Sequence, residues 1–133
     1  MAKLLDTNLI IRFLIKDDLS QFEAAQKLFN SLDENLVLSD LSLAEVVWTL
    51  HSVYKLTKQE IIENLLKLLE LKNLTANFHL LINSLLIYQD YNISFIDAYL
   101  LAYCEEEKLE GIYSFDEGLD KIKSIKRFKP INS

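Results

Sequence analysis

Four acids in this chain stand where a carboxylate needs a reason. Asp6 separates two apolar runs in LLDTNLIIRFL, Glu45 interrupts LSLAEVVWTL, Asp97 interrupts ISFIDAYLLAY, and Asp116 lies in SFDEGL. Surface carboxylates are ordinary, but one framed by apolar residues needs a partner, because burial of an unpaired carboxylate costs on the order of several kcal/mol. Each acid also has a plain structural role. Asp6 and Asp116 can be N-caps of the helices that come after them, while Ser42 with Glu45, and Ser94 with Asp97, fit the S-x-x-E and S-x-x-D capping patterns.

Capping accounts for any one of the four, but not for the place they would share. In an open parallel sheet, helices start after the carboxyl ends of the strands, and ligands bind in the crevice there. Asp6 and Asp116 belong to that edge, and Glu45 and Asp97 are expected in the first turns of helices that begin at it. Two carboxylates about 4 Å apart repel by roughly 4 kcal/mol at an effective dielectric near 20. A helix N-terminus offsets only about 0.3 to 1 kcal/mol. Such a cluster calls for a cation, and an oxygen-only donor set without neighbouring Cys or His suits Mg²⁺ or Mn²⁺. Hydrated ions of that kind serve phosphodiester hydrolysis by activating water and neutralising phosphate charge.

The elements that must position these acids are set by patterning. Ala2 to Leu5 reads as a strand and Asn8 to Ile15 as a helix. Asp18 with Gln21 is a capping-box signature for a helix to about Leu32. Leu36 to Leu38 reads as a strand, Leu41 to Tyr54 and Lys58 to Leu71 as paired helices with Thr57 as N-cap, and Asn73 to Ala76 as a short strand. Phe78 to Tyr91 and Phe95 to Lys108 read as helices, the latter stopped by Gly111. Ile112 to Ser114, a short helix after Asp116, and a strand near Ile125 to Phe128 complete the order. Strands alternating with helices imply an α/β fold with a parallel sheet. In Lys58 to Leu71 the apolar arc is wider than one sheet face can bury, so these helices either pack on each other as well as on the sheet or, the favoured reading, offer a surface for another chain.

At 133 residues, half of them hydrophobic and with only two Gly and one Pro, the chain is expected to form a single domain over residues 1–133. One cysteine, Cys104, rules out an intrachain disulfide. With no secretory leader pattern and no apolar run of roughly 20 residues, a soluble cytoplasmic protein without a membrane partner is expected. The net charge of −6 argues against a general nucleic-acid binder. Lys121, Lys123, Lys126, Arg127 and Lys129 nevertheless cluster near the C-terminus. His51 and His79 lack paired metal-site spacing, Cys104 has no activating base, Glu105 to Glu107 read as a solvated helix end, and Trp48 and Tyr99 read as core.

Taken together and in order, LLDTNLIIRFLIKDD, LSLAEVVWTL, ISFIDAYLLAY and YSFDEGLDKI resemble the four acidic blocks of the PIN-domain family, over nearly the whole chain. Within that family the chain is most similar to VapC-type toxins of toxin–antitoxin pairs. The resemblance implies a PIN-like three-layer sandwich, with a central, mostly parallel sheet of four to five strands flanked by helices. It also implies a Mg²⁺- or Mn²⁺-dependent endoribonuclease with Asp6, Glu45, Asp97 and Asp116 as its acidic, metal-holding cluster. Thr7, Asn8, Ser94 and Ser114 would be supporting polar groups. Arg12, Lys121, Lys123, Lys126 and Arg127 are the expected groups for RNA contact. A homodimer neutralised by an antitoxin, whose segment lies in a groove partly formed by the helices of Leu41 to Leu71, completes the expectation. Against it stand a non-toxin RNA-processing or non-catalytic module, and an aspartate-nucleophile phosphatase, which wants a second acid where this chain has Asn8.

Overall fold

Asp6 and Glu45 are carried by helices that rise from neighbouring parallel strands. A computed structural model describes residues 1–132, in two compact units, Met1–Phe78 and a second that begins at His79. The first unit runs β1 (Ala2–Leu4), α1 (Thr7–Leu14), α2 (Leu19–Phe29), β2 (Asn35–Val37), α3 (Asp40–Ser52), α4 (Lys58–Leu68) and β3 (Leu74–Thr75). Its sheet has the order β1-β2-β3. Both pairings are parallel, with Lys3 opposite Leu36 and Leu36 opposite Leu74. Parallel pairing sends β1 and β2 out at the same edge, so α1 and α3 begin there, and the two helices pack against each other.

The chain continues with α5 (Phe78–Asp90), which from His79 on belongs to the second unit, and then α6 (Phe95–Glu106), β4 (Gly111–Tyr113), a 3₁₀ turn (Glu117–Lys121) and β5 (Lys126–Phe128). β4 and β5 pair in parallel, with Ile112 opposite Arg127. The protein is thus a mixed α/β fold of six helices and five parallel strands among the described residues, arranged as a three-stranded sheet in one unit and a two-stranded sheet in the other. No helix among them is long and apolar enough to cross a membrane.

Each unit has its own apolar interior. In the first, Ile10, Leu43, Val46, Leu50, Ile61, Leu65 and Leu68 are fully buried; in the second, Leu81, Leu85, Ala98, Leu101 and Ala102 are. A fully buried Leu or Ile contributes about 1.5 to 3 kcal/mol. That burial corrects the reading of the α4 arc as an exposed surface. Ile61, Ile62, Leu65, Leu68 and Leu69 are all buried within the chain, and α4 packs on α3.

The helix ends show which local rules held. Thr57 and Glu60 form a complete capping box on α4: the Thr57 Oγ1 accepts from Glu60 N at 3.1 Å, and the Glu60 carboxylate accepts from Thr57 N at 3.0 Å. Asp18 caps α2 by accepting from Gln21 N, but the reciprocal arm is missing because Gln21 Oε1 accepts from Arg12 instead. Gly111 is not the stop of α6. The left-handed position is taken by Lys108, φ 53°, in a Schellman turn in which Leu109 N donates to Cys104 O and Lys108 N to Glu105 O. Gly111 is required for another reason: a Cβ there would lie 2.1 Å from Lys126 O across the β4–β5 ladder.

Candidate active site

The four acids divide evenly, Asp6 and Glu45 in the first unit and Asp97 and Asp116 in the second. Among the described residues, neither unit by itself gathers three His, Cys, Asp or Glu side chains that could hold a metal ion.

Asp6 comes after the buried Leu5, 2% exposed, and precedes α1, in which Ile10 and Ile11 are buried. Its backbone has the extended geometry of an N-cap, φ −86° and ψ 148°, yet its side chain makes no cap hydrogen bond. The carboxylate is exposed, so its apolar flanks do not bury it: they anchor the backbone on either side and leave the acid outward. Thr7 is half-buried and Asn8 exposed at the start of the same helix.

Glu45 lies one turn deeper in its helix than capping would place it. The N-cap of α3 is Ser39, whose Oγ accepts from Ser42 N at 3.1 Å, so Ser42 is a first-turn residue and the S-x-x-E reading fails. Ser39 competes successfully because Leu41 and Leu43 must sit on opposite sides of a helix already under way, Leu41 exposed and Leu43 buried. Glu45 is exposed, and so is Trp48 one turn on, which corrects the reading of that indole as core.

At α6 the capping expectation holds in part: Ser94 is the N-cap and its Oγ accepts from Asp97 N at 3.1 Å. That bond uses Asp97's backbone and leaves its half-buried carboxylate unspent. Asp116 is different again. It caps the 3₁₀ turn with its Oδ1 accepting from Gly118 N at 2.8 Å, while its own N–H donates to Ser114 Oγ at 3.0 Å.

Of the cations expected to meet RNA, the two arginines are held within the chain. Arg127 is held by Asp120 through two bonds, Nε to Oδ1 at 2.9 Å and Nη2 to Oδ2 at 3.1 Å, and donates from Nη1 to Ser114 O at 2.9 Å. The Asp120 bonds, with the added charge of Glu117 and Asp116, push its pKa up, and the same bonds draw that of Asp120 down. Arg12 is likewise engaged inside the chain, with Gln21, Asp17 and Tyr54. Lys126 rests over the Phe128 ring at 4.7 Å, and Lys121 Nζ reaches Asn92 O at 3.5 Å. Lys123 is exposed.

The residues set aside behave as read: His51 and His79 are exposed, the latter paired with Glu106, and Cys104 is a buried free thiol whose pKa burial pushes up. Sequence reasoning missed two features of the first unit. A hollow of about 440 Å³, lined by residues that include Ser39, Asp40, Thr75 and Asn77, opens at the carboxyl ends of β2 and β3, with Asn77 Nδ2 donating to Asp40 Oδ1 at 3.0 Å. Tyr54 and Asp17 form a bonded group with Arg12, and no spacing rule connects residues 37 positions apart.

The PIN domain family model matches residues 3–125, which takes in all four acids and reaches into both units. The chain belongs to the PIN-domain family. Members of that family are, in general, metal-dependent nucleases, which makes a hydrolase acting on nucleic acid the activity class of this PIN domain. No curated protein matches the chain. The donor chemistry fits a divalent cation: every candidate ligand is a carboxylate, and Asp6 and Asp97 spend none of their oxygens on capping.

Proposed function

We propose that this PIN domain is a Mg²⁺- or Mn²⁺-dependent endoribonuclease, the toxin of a toxin–antitoxin pair, working in the cytoplasm as a single domain over residues 1–133. The observation that carries the reading is that one family match spans the positions of Asp6, Glu45, Asp97 and Asp116. Asp6, Asp97 and Asp116 would hold the cation, with Glu45 as the fourth acid of the set. When bound, that ion polarises a phosphate oxygen and favours ionisation of a coordinated water.

The chain's own residues prepare for this in distinct ways. Asp6 offers both carboxylate oxygens, and Asp116 offers the one not committed to Gly118 N. Ser94 and Ser114 fix the backbones of Asp97 and Asp116 by hydrogen bonds, which limits the freedom each acid would lose on binding an ion. Thr7 and Asn8 lie beside Asp6 in the first turn of α1. Lys121, Lys123 and Lys126 are the groups left for phosphate contact, since Arg12 and Arg127 are committed within the chain. The homodimer and the antitoxin belong to the same proposal. Leu41, Trp48 and Val53, exposed on and just past α3, supply apolar surface for them.

The test is cleavage of single-stranded RNA by the purified protein in Mg²⁺ or Mn²⁺. The wild type is expected to cut, while Asp97→Asn stays folded, with an unchanged circular-dichroism spectrum, and loses about 100-fold or more of the rate, as loss of a metal ligand forfeits several kcal/mol of transition-state stabilisation. Full activity in Asp97→Asn would overturn the assignment. A small reading frame encoding a basic and aromatic C-terminal segment, immediately upstream of the gene and protective when co-expressed, is the expected sign of the antitoxin.

A further inference from the structure

α1 is a short helix with one acid to present. Its eight residues give a length of about 12 Å, and helices shorter than about 12 to 15 residues are marginal on their own. Its direction therefore depends on what holds its two ends. The near end is tied to the sheet through Leu5, which follows β1 and whose N–H donates to Val37 O of β2 at 2.9 Å.

The far end is tied by Arg12, in the last turn of α1. Its Nε donates to Gln21 Oε1 of α2 at 2.8 Å, and its Nη1 donates to Asp17 Oδ1 at 2.9 Å and to the Tyr54 hydroxyl at 3.3 Å. The same Tyr54 hydroxyl donates to Asp17 Oδ2 at 2.9 Å. Tyr54 stands two residues past the end of α3, the helix that carries Glu45. A closed group of three side chains thus joins the far end of the Asp6 helix to the far end of the Glu45 helix, while β1 and β2 join their near ends. The tyrosine hydroxyl favours both charges of the group, holding Arg12 above and Asp17 below its ordinary pKa.

We propose that Arg12, Asp17 and Tyr54 form a positioning clamp that fixes α1 against α3 and so sets the placement of Asp6 relative to Glu45. The inference rests on the nuclease reading above. Arg12 lies six positions after Asp6, about 9 Å along the helix. A tilt of about 10° over that length displaces one end against the other by roughly 1.5 Å, three times the tolerance of about 0.5 Å for a preorganised site. None of the three residues touches substrate or metal in this scheme.

The experiment uses Tyr54→Phe, which keeps the ring and deletes the hydroxyl at the centre of the clamp, and Asp17→Asn as a second variant. Three quantities are compared with the wild type, well below the melting temperature: amide hydrogen exchange in α1, the Mn²⁺ concentration for half-maximal cleavage of an RNA oligonucleotide, and kcat at saturating Mn²⁺. Faster exchange in α1, a Mn²⁺ midpoint raised about three- to tenfold and a lower kcat are expected in both variants. The double variant should fall no further than the more damaged single one, because both break one group. Unchanged Mn²⁺ midpoint and kcat in a folded Tyr54→Phe would overturn the proposal, whatever α1 exchange does, and leave the clamp a local staple. A wild type that neither cleaves RNA nor responds to Mn²⁺ would overturn the nuclease reading itself, and the clamp's role with it.

Discussion

Asp6 and Asp116 occupy equivalent places in sequence, each just beyond a parallel strand and just before a helical turn, and the structure treats them in opposite ways. Asp116 is spent locally: its carboxylate caps Gly118 N, its own N–H is held by Ser114, and Arg127 adds positive charge nearby. Asp6 has the backbone geometry of a cap without its hydrogen bond. The Asp116 cap depends on the residue two positions on. Gly118 has no Cβ and lets its N–H come within 2.8 Å of Asp116 Oδ1, where a Cβ on that residue would lie 2.9 Å from the same oxygen. A full α-helix follows Asp6 as one follows Asp18, yet only Asp18 makes its cap bond. A carboxylate that folding does not use is the better guide to function.

That contrast can be broken by experiment. Asp6→Ala and Asp116→Ala should each reduce RNA cleavage by about 100-fold or more if both hold the ion. Equal loss of activity with unequal loss of stability is the expected result. Asp116→Ala should lower the unfolding free energy by about 0.5 kcal/mol, the low end for an N-cap, because only a 3₁₀ turn depends on it. Asp6→Ala should leave the free energy in urea unchanged or slightly raised. A destabilised Asp6→Ala would show that its cap forms in solution.

Mn²⁺ sharpens the same point. A ligand at about ten times its Kd stabilises the folded state by roughly 1.4 kcal/mol, a few degrees in Tm for a chain of this size. The wild type should show that rise at millimolar Mn²⁺ in a thermal melt, and Asp6→Ala should lose it. An undiminished shift in Asp6→Ala would remove that acid from the ion's ligands.

The smallest expected effect is in acid. Asp17 is held below its ordinary value of 3.8 first by the Tyr54 hydroxyl, Asp120 below the same value first by Arg127, and Glu60 below its ordinary 4.5 first by Thr57 N–H. A carboxyl with a depressed folded-state pKa stabilises the fold above its unfolded-state value, and that stabilisation disappears as pH falls through the folded-state value. Urea midpoints should therefore be level down to about pH 5 and decline below about pH 4. In Tyr54→Phe the part of that decline due to Asp17 should shrink.

Much of the fold was legible because it depends on short-range rules. The order of five strands and six helices, the Thr57 capping box and the Ser94 and Asp18 caps are set by residues within four positions of each other. Where local rules competed, sequence could not choose: Ser39 displaced Ser42 as the cap of α3, and Lys108 took the left-handed place expected of Gly111. The apolar arc of α4 was visible, but what covers it is a matter of packing.

The sequence by itself determined that acids stand at Asp6, Glu45, Asp97 and Asp116 in settings that resemble one family, because residue type and spacing are enough for such a pattern. Only the tertiary structure decided which carboxylates folding uses. Arg12 was expected to meet RNA and is bonded to Asp17 and Tyr54. A guanidinium binds whichever carboxylate and hydroxyl the fold brings within about 3 Å, and Tyr54 comes from 42 residues along the chain.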